Sequence, residues 1–98
     1  MTVRQEGGCL RASIRYQTLA TPAGVTICHC RFCQHATGSA YMIEPIFRLE
    51  DLCVTKGTLS VYVLRSEGSG RLVRVHFCPT CGTKLCLSLE RFPEVCGV

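Results

Sequence analysis

The chain has no tryptophan and only 7% aromatic residues. It also has no block of like charge. Its Lys and Arg residues stand mostly as singles, from Arg4 and Arg11 to Lys84 and Arg91. Without a basic run or a supply of rings on which bases could stack, there is no nucleic-acid footprint. The formal charge of +4 offers mild attraction for small anions and little more. No stretch approaches the roughly 20 apolar residues that a membrane-spanning helix needs, so no membrane role is expected. The first eight residues, Met1 to Gly8, lack the apolar run of a secretory signal. The expected location is therefore the cytoplasm, where thiols stay reduced.

What the chain does have is cysteine: nine in 98 residues. The odd number and the clustering both argue against a disulfide framework, because neighbours such as Cys28 and Cys30 are poor partners for a normal bridge. A chain of this length is expected to form one domain, residues 1–98. Its core would be small enough to need support from a metal or cross-links.

Two clusters carry the chemistry. Cys28-His29-Cys30-Arg31-Phe32-Cys33 places three thiols at C-x-C-x-x-C spacing. Thiolates packed so closely repel one another unless a cation holds them, and soft sulfur at this spacing favours tetrahedral zinc. Three ligands in one loop leave a fourth position that the local sequence does not fill, which is the usual mark of a reactive site. The second cluster, Cys78-Pro79-Thr80-Cys81-Gly82, has the form of a zinc knuckle, with Gly82 free to take a positive φ. One structural alternative stays open at this stage. Cys30 and Cys33 could join Cys78 and Cys81 in a single closed ribbon site, with Cys28 spare.

The pattern reads as mostly antiparallel β with two metal-bearing loops. Alternation over residues 10–17 predicts a half-buried strand, with Ala12, Ile14 and Tyr16 on one face. Residues 25–27 predict a short strand leading into the first cluster. Residues 34–39 predict a tight turn or one helical turn, residues 40–46 an extended segment, and residues 49–53 a brief helical turn. Residues 58–65 alternate with both faces apolar and predict a central strand. Ser66 to Gly70 predicts a hairpin loop, and residues 71–77 and 83–89 predict strands on either side of the knuckle.

Three motifs together resemble one family, over nearly the whole chain. They are Gly7-Gly8-Cys9 with the strand ending Ile14-Arg15-Tyr16; Cys28-His29-Cys30-Arg31-Phe32-Cys33-Gln34 followed by Ala36-Thr37-Gly38-Ser39-Ala40; and His76-Phe77-Cys78-Pro79-Thr80-Cys81-Gly82-Thr83. They are similar to the motifs of the glutathione-dependent formaldehyde-activating enzymes, a group that includes centromere protein V. The resemblance implies a β-tent fold of short antiparallel sheets binding two zinc ions. Cys28, Cys30 and Cys33 would match the ligands of the catalytic zinc, and Cys9, Cys78 and Cys81 those of the structural zinc. The implied activity is that of a carbon–sulfur lyase joining glutathione to formaldehyde.

Two departures from the family stand out. The first family motif is normally C-x-C, and here Arg11 occupies the second cysteine's place. A guanidinium cannot ligate zinc, so water, Cys53, His76 or Cys86 is expected to complete that site, or the site to be weak. The chain also stops at Val98, where family members generally continue for about another strand, and an open sheet edge is expected there.

The expected reaction needs an open zinc position, a thiol and a small carbonyl. Arg31, His29, His35 and the amides around Gly38-Ser39 are candidates to offset the negative charge of clustered thiolates. The plainer readings are that His29 orients its loop, His35 is solvated, His76 packs beside the knuckle, and Cys53, Cys86 and Cys96 are core or surface thiols. Two other functions compete: a zinc-binding interaction module without turnover, and a nucleic-acid-binding zinc ribbon. A homodimer is expected from the short chain and its edge.

Overall fold

The computed structural model describes residues 4–98. Nine strands, one α-helix and one 3-10 turn follow in the order β1 Gln5–Gly8, β2 Arg15–Thr18, β3 Gly24–Cys28, α1 Arg31–Thr37, β4 Met42–Arg48, the 3-10 turn Leu49–Asp51, β5 Leu52–Lys56, β6 Ser60–Arg65, β7 Leu72–Phe77, β8 Lys84–Leu89 and β9 Phe92–Gly97. They build a three-stranded sheet, β1-β2-β5, and a six-stranded sheet, β3-β4-β9-β8-β7-β6. Every pairing is antiparallel. The architecture is mainly β, as the alternation and the family resemblance both imply. No helix among the described residues is long and apolar enough to cross a membrane.

The apolar core is divided in two, and each half contains one cysteine cluster. Cys9, Ile14, Cys78 and Leu85 form the first, with Tyr16, Leu59 and Cys81 packed against them. Cys33, Met42, Val73 and Leu87 form the second, flanked by Cys28, Phe32, Leu64, Val75 and Leu89. Strand β8 serves both, giving Leu85 to one and Leu87 to the other. Splitting an already small core leaves each half with few side chains, so sulfur stands where larger apolar groups would otherwise pack.

Several sequence expectations are corrected. Residues 10–14 are not strand. The chain loops from Cys9 to Ile14, and β2 begins only at Arg15. Ala12 is exposed rather than on the buried face with Ile14. The segment read as a central strand is β6, which lies at the edge of the larger sheet. Its two apolar faces reflect exposure, with Val61, Tyr62 and Val63 open to solvent. The C-terminal residues form no open edge either. β9 pairs with β4 on one side and β8 on the other, and Val98 donates its backbone N–H to the Pro45 carbonyl at 3.0 Å.

One buried charge marks the larger sheet. Glu44 lies on β4 two residues beyond Met42, hence on the same sheet face, and it is buried. Gly97 on β9 makes this placement possible, because any Cβ there would collide with the Glu44 carboxylate. Gly97→Ala should therefore cost about 1–3 kcal/mol through overpacking, read by urea denaturation beside the wild type. Unchanged stability would contradict the tight fit.

Burial raises the pKa of Glu44, and Lys84 only partly offsets the effect. The other titratable neighbours are the thiols of Cys86 and Cys96, both raised, first of all by burial; Cys86 reaches about 11. With its folded pKa above the unfolded value, Glu44 favours the fold most at pH below the ordinary glutamate range. That contribution is lost as pH rises through the raised value. Glu44→Gln should flatten this dependence and raise stability at neutral pH, seen in thermal melts from pH 4 to pH 8. A melting temperature that falls at pH 7 would contradict it.

Candidate metal centres

The first centre is assembled by the change from strand to helix. Cys28 is the last residue of β3, and Cys30 is the N-cap of α1 in extended conformation. The Cys30 sulfur accepts the backbone N–H of Cys33 at 3.4 Å. Cys33 then sits in the first turn of α1, buried against Met42, Val73 and Leu87. The C-x-C-x-x-C spacing thus works as strand end, cap and first turn, and all three sulfurs converge. They lie within 4.8 Å of one another. Tetrahedral zinc with Zn–S bonds of about 2.3 Å would set its sulfurs about 3.8 Å apart, which lies inside that limit.

The three thiols differ in burial. Cys30 is exposed, Cys28 half-buried and Cys33 buried. The backbone N–H of Cys33 lowers the Cys30 pKa. Burial, reinforced by the adjoining Cys28 and Cys30 sulfurs, pushes Cys33 well up. Without a cation, the cluster resists full ionisation because each thiolate opposes the next. Among the described residues no fourth His, Cys, Asp or Glu joins it.

The second centre joins two distant stretches. Cys78 and Cys81 bracket the turn after β7, and Cys9 follows β1. Their sulfurs also lie within 4.8 Å of one another. Cys78 is fully buried. Gly82 has φ 77, as the knuckle requires, and its N–H donates to the Cys78 carbonyl at 2.8 Å. The hydroxyl of Ser13 lies 3.3 Å from both the Cys9 and Cys78 sulfurs. Thr83 Oγ1 lies 3.2 Å from the Cys81 sulfur. The Ser13 hydroxyl is the largest cause of a Cys9 pKa lowered to about 6, and the Thr83 hydroxyl is the largest cause of a lowered Cys81. All nine cysteines are free thiols.

These two groups settle the grouping left open by spacing. Cys30 and Cys33 do not join Cys78 and Cys81 in one ribbon site; Cys28 and Cys9 complete two separate trios. None of Cys53, His76 and Cys86 completes the second trio. Cys53 is exposed on β5. His76 is hydrogen-bonded to Ser88 at 2.9 Å, with its pKa lowered chiefly by burial. Arg11 points to solvent.

The amides near Gly38-Ser39 are not available to offset charge. Gly38 N–H donates to Gln34, and Ser39 N–H to the Thr37 hydroxyl. His29 is exposed and tilts against the Tyr41 ring, with centroids 5.4 Å apart. Arg31 and His35 are exposed. Sequence reasoning missed Ser13 and Glu44. The only signals were a hydroxyl four residues after Cys9, and a carboxylate two residues after an apolar side chain in an alternating stretch.

Residues 4–98 match the family model described as glutathione-dependent formaldehyde-activating enzyme. The chain belongs to that family. A crystal structure of a Rhodobacter sphaeroides protein, a structural genomics target, has the same fold. The TM-score is 0.74 at 24% identity, over 96% of this chain and 83% of that one. Among curated proteins, none matches the chain. The match spans both cysteine trios, so each lies within the family's own domain. A cleft of about 320 Å³, lined by Tyr16, Thr18, Pro45 and Phe47 among others, belongs to neither trio.

Proposed function

We propose that this chain is a zinc-dependent carbon–sulfur lyase that joins a thiol such as glutathione to formaldehyde or a related small carbonyl. The observation that carries this reading is the convergence of Cys28, Cys30 and Cys33 with no fourth acidic, histidine or cysteine donor beside them among the described residues. Zinc bound there would supply a Lewis acid that lowers a substrate thiol's pKa. The chain's own part is to fix three sulfurs on a strand end and a helix start, to bury Cys33, and to leave Cys30 facing solvent where a thiol can approach. In the reaction the thiol sulfur bonds to the carbonyl carbon, the C=O double bond becomes single, and the thiol proton ends on oxygen. Formaldehyde is electrophilic enough that the chain needs no strong general base. Arg31, between Cys30 and Phe32, is the nearest fixed positive charge in sequence.

The remaining features fit this reading. The whole chain, residues 1–98, would act as one domain carrying two zinc ions. Nine unpaired thiols suit a reducing compartment such as the cytoplasm. A homodimer would form through the uncharged edge strand β3, whose Val25 and Ile27 are exposed. The same exposed side chains, with Ile43, favour a second reading: an interaction module without turnover, as in centromere protein V.

The test is zinc content by native mass spectrometry together with formation of the hydroxymethyl thioether from glutathione and formaldehyde. Two ions per chain and turnover above the spontaneous rate support the lyase. Two ions with no turnover, and partner capture that persists in Cys28→Ser, point to the interaction module.

A further inference from the structure

We propose that the Ser13 hydroxyl takes the fourth position of a tetrahedral metal centre whose other donors are Cys9, Cys78 and Cys81. The proposal rests on the reading that this second trio holds a metal, and it is independent of any catalysis at the first.

The position is defined by distance. Ser13 Oγ lies 3.3 Å from Cys9 Sγ and 3.3 Å from Cys78 Sγ. A tetrahedral zinc with Zn–S of about 2.3 Å and Zn–O of about 2.0 Å places oxygen and sulfur about 3.5 Å apart. Ser13 therefore already stands at a donor's separation from two sulfurs that come from different parts of the chain. Thr83 does not compete. Its hydroxyl touches only Cys81 and already accepts the Leu10 N–H at 3.2 Å. The Ser13 side chain has no partner among the described residues other than those two sulfurs.

The loop is built to present residue 13 and to turn residue 11 away. Cys9 N–H donates to the Ile14 carbonyl at 3.1 Å, Ile14 N–H donates to the Cys9 sulfur at 3.3 Å, and Ala12 N–H donates to the Cys9 carbonyl at 3.0 Å. The reversal occurs at Ala12, whose φ of 59 makes it the one non-glycine residue with positive φ among the described residues. That conformation is unfavourable for a residue with a Cβ, and it persists only where its surroundings enforce it. Lys56 Nζ donates to the Ala12 carbonyl at 3.2 Å. Gly57, at φ 83, packs so closely on the Ser13 carbonyl and Ile14 that no Cβ would fit. Strand β5 and its end thus hold the loop with Ser13 inward and Arg11 outward.

A neutral hydroxyl in place of a fourth thiolate leaves the centre at one negative charge instead of two. It also closes the centre to outside ligands, which separates it from the trio at Cys28, Cys30 and Cys33.

The experiment loads the full chain with cobalt(II) and follows its visible absorption during titration with 2-mercaptoethanol. Wild type should take two cobalt ions, only one of which responds to added thiol. In Ser13→Ala both should respond. Ser13→Cys should show a four-sulfur spectrum at one ion without added thiol and bind that ion at least about tenfold more tightly. The proposal is overturned if every wild-type ion takes thiol, whether two are bound or one, or if Ser13→Ala leaves the ion that was unresponsive in wild type still unresponsive. Should Ser13→Ala not fold, an unchanged spectrum in Ser13→Cys overturns it alone. Turnover is not read at all, so a protein without lyase activity can still pass this test.

Discussion

Cys30→Ser should abolish thiol–aldehyde turnover while leaving the fold intact. The two effects separate because Cys30 does two unrelated jobs. As the N-cap of α1 its side chain accepts the Cys33 N–H, and serine is among the best residues at that position. It is also one of three converging sulfurs that could hold a metal ion, and a serine hydroxyl would be a poor substitute for a thiolate toward zinc. Its exposure means the change opens no cavity. Partners that merely orient a metal ligand are worth about 10–100-fold in affinity or activity, so losing a donor should exceed about 100-fold. The checks are turnover, circular dichroism and zinc per chain, which should fall from two to one. Full activity with one ion lost would remove the trio from the reaction.

How much of this was legible in sequence follows from what is local and what is not. The two cysteine clusters were, because their spacing fixes the geometry within a few residues: strand end, cap and first turn for Cys28, Cys30 and Cys33, and a knuckle turn for Cys78 and Cys81. Strands β7 and β8 were legible from alternation. Strand β1 was not, since Gln5–Gly8 has little β propensity and exists through its pairing with β2. Strand β9 was hidden by Pro93 and by the absence of a clear period, yet it lies in the middle of the sheet. The loop at residues 10–14 mimicked a strand because apolar residues alternate there by composition; Ala12 actually reverses the chain.

The burial of Glu44 could not be read either. A carboxylate on a core face makes sense only once Gly97, more than fifty residues later, leaves room for it. The position of β6 at an edge was misjudged for a related reason. Apolarity on both faces reports what a strand could bury, and topology decides what it does bury. The Cys9, Cys78 and Cys81 grouping came from family resemblance, since nothing local links Cys9 to the knuckle.

Cys78→Ser should be far more damaging than Cys30→Ser, although both remove one sulfur from a trio. Cys78 is completely buried, at the centre of the half-core made with Cys9, Ile14 and Leu85. Three supports converge on its sulfur: the Ser13 hydroxyl at 3.3 Å, the Thr80 N–H at 3.4 Å, and the apolar packing around it. A serine there puts a harder, more polar atom in an apolar site and would remove one of the three candidate metal donors where β7, the knuckle and the loop at residues 9–14 meet. Structural zinc contributes folding free energy directly, and a domain of this size is stable by only about 5–15 kcal/mol. Weakening one centre therefore consumes a large share of the total.

The expectation is a fall in melting temperature of at least about 10 °C, corresponding to roughly 2 kcal/mol or more in a domain near 100 residues. The fall should nearly vanish when wild type and variant are compared in excess chelator. Cys53→Ser, at an exposed thiol outside both trios, should melt like wild type in either condition. If Cys78→Ser melts like wild type with zinc present, the second trio is not a structural centre. If its deficit persists undiminished in chelator, packing alone explains it, and the metal plays no part in holding that half of the fold.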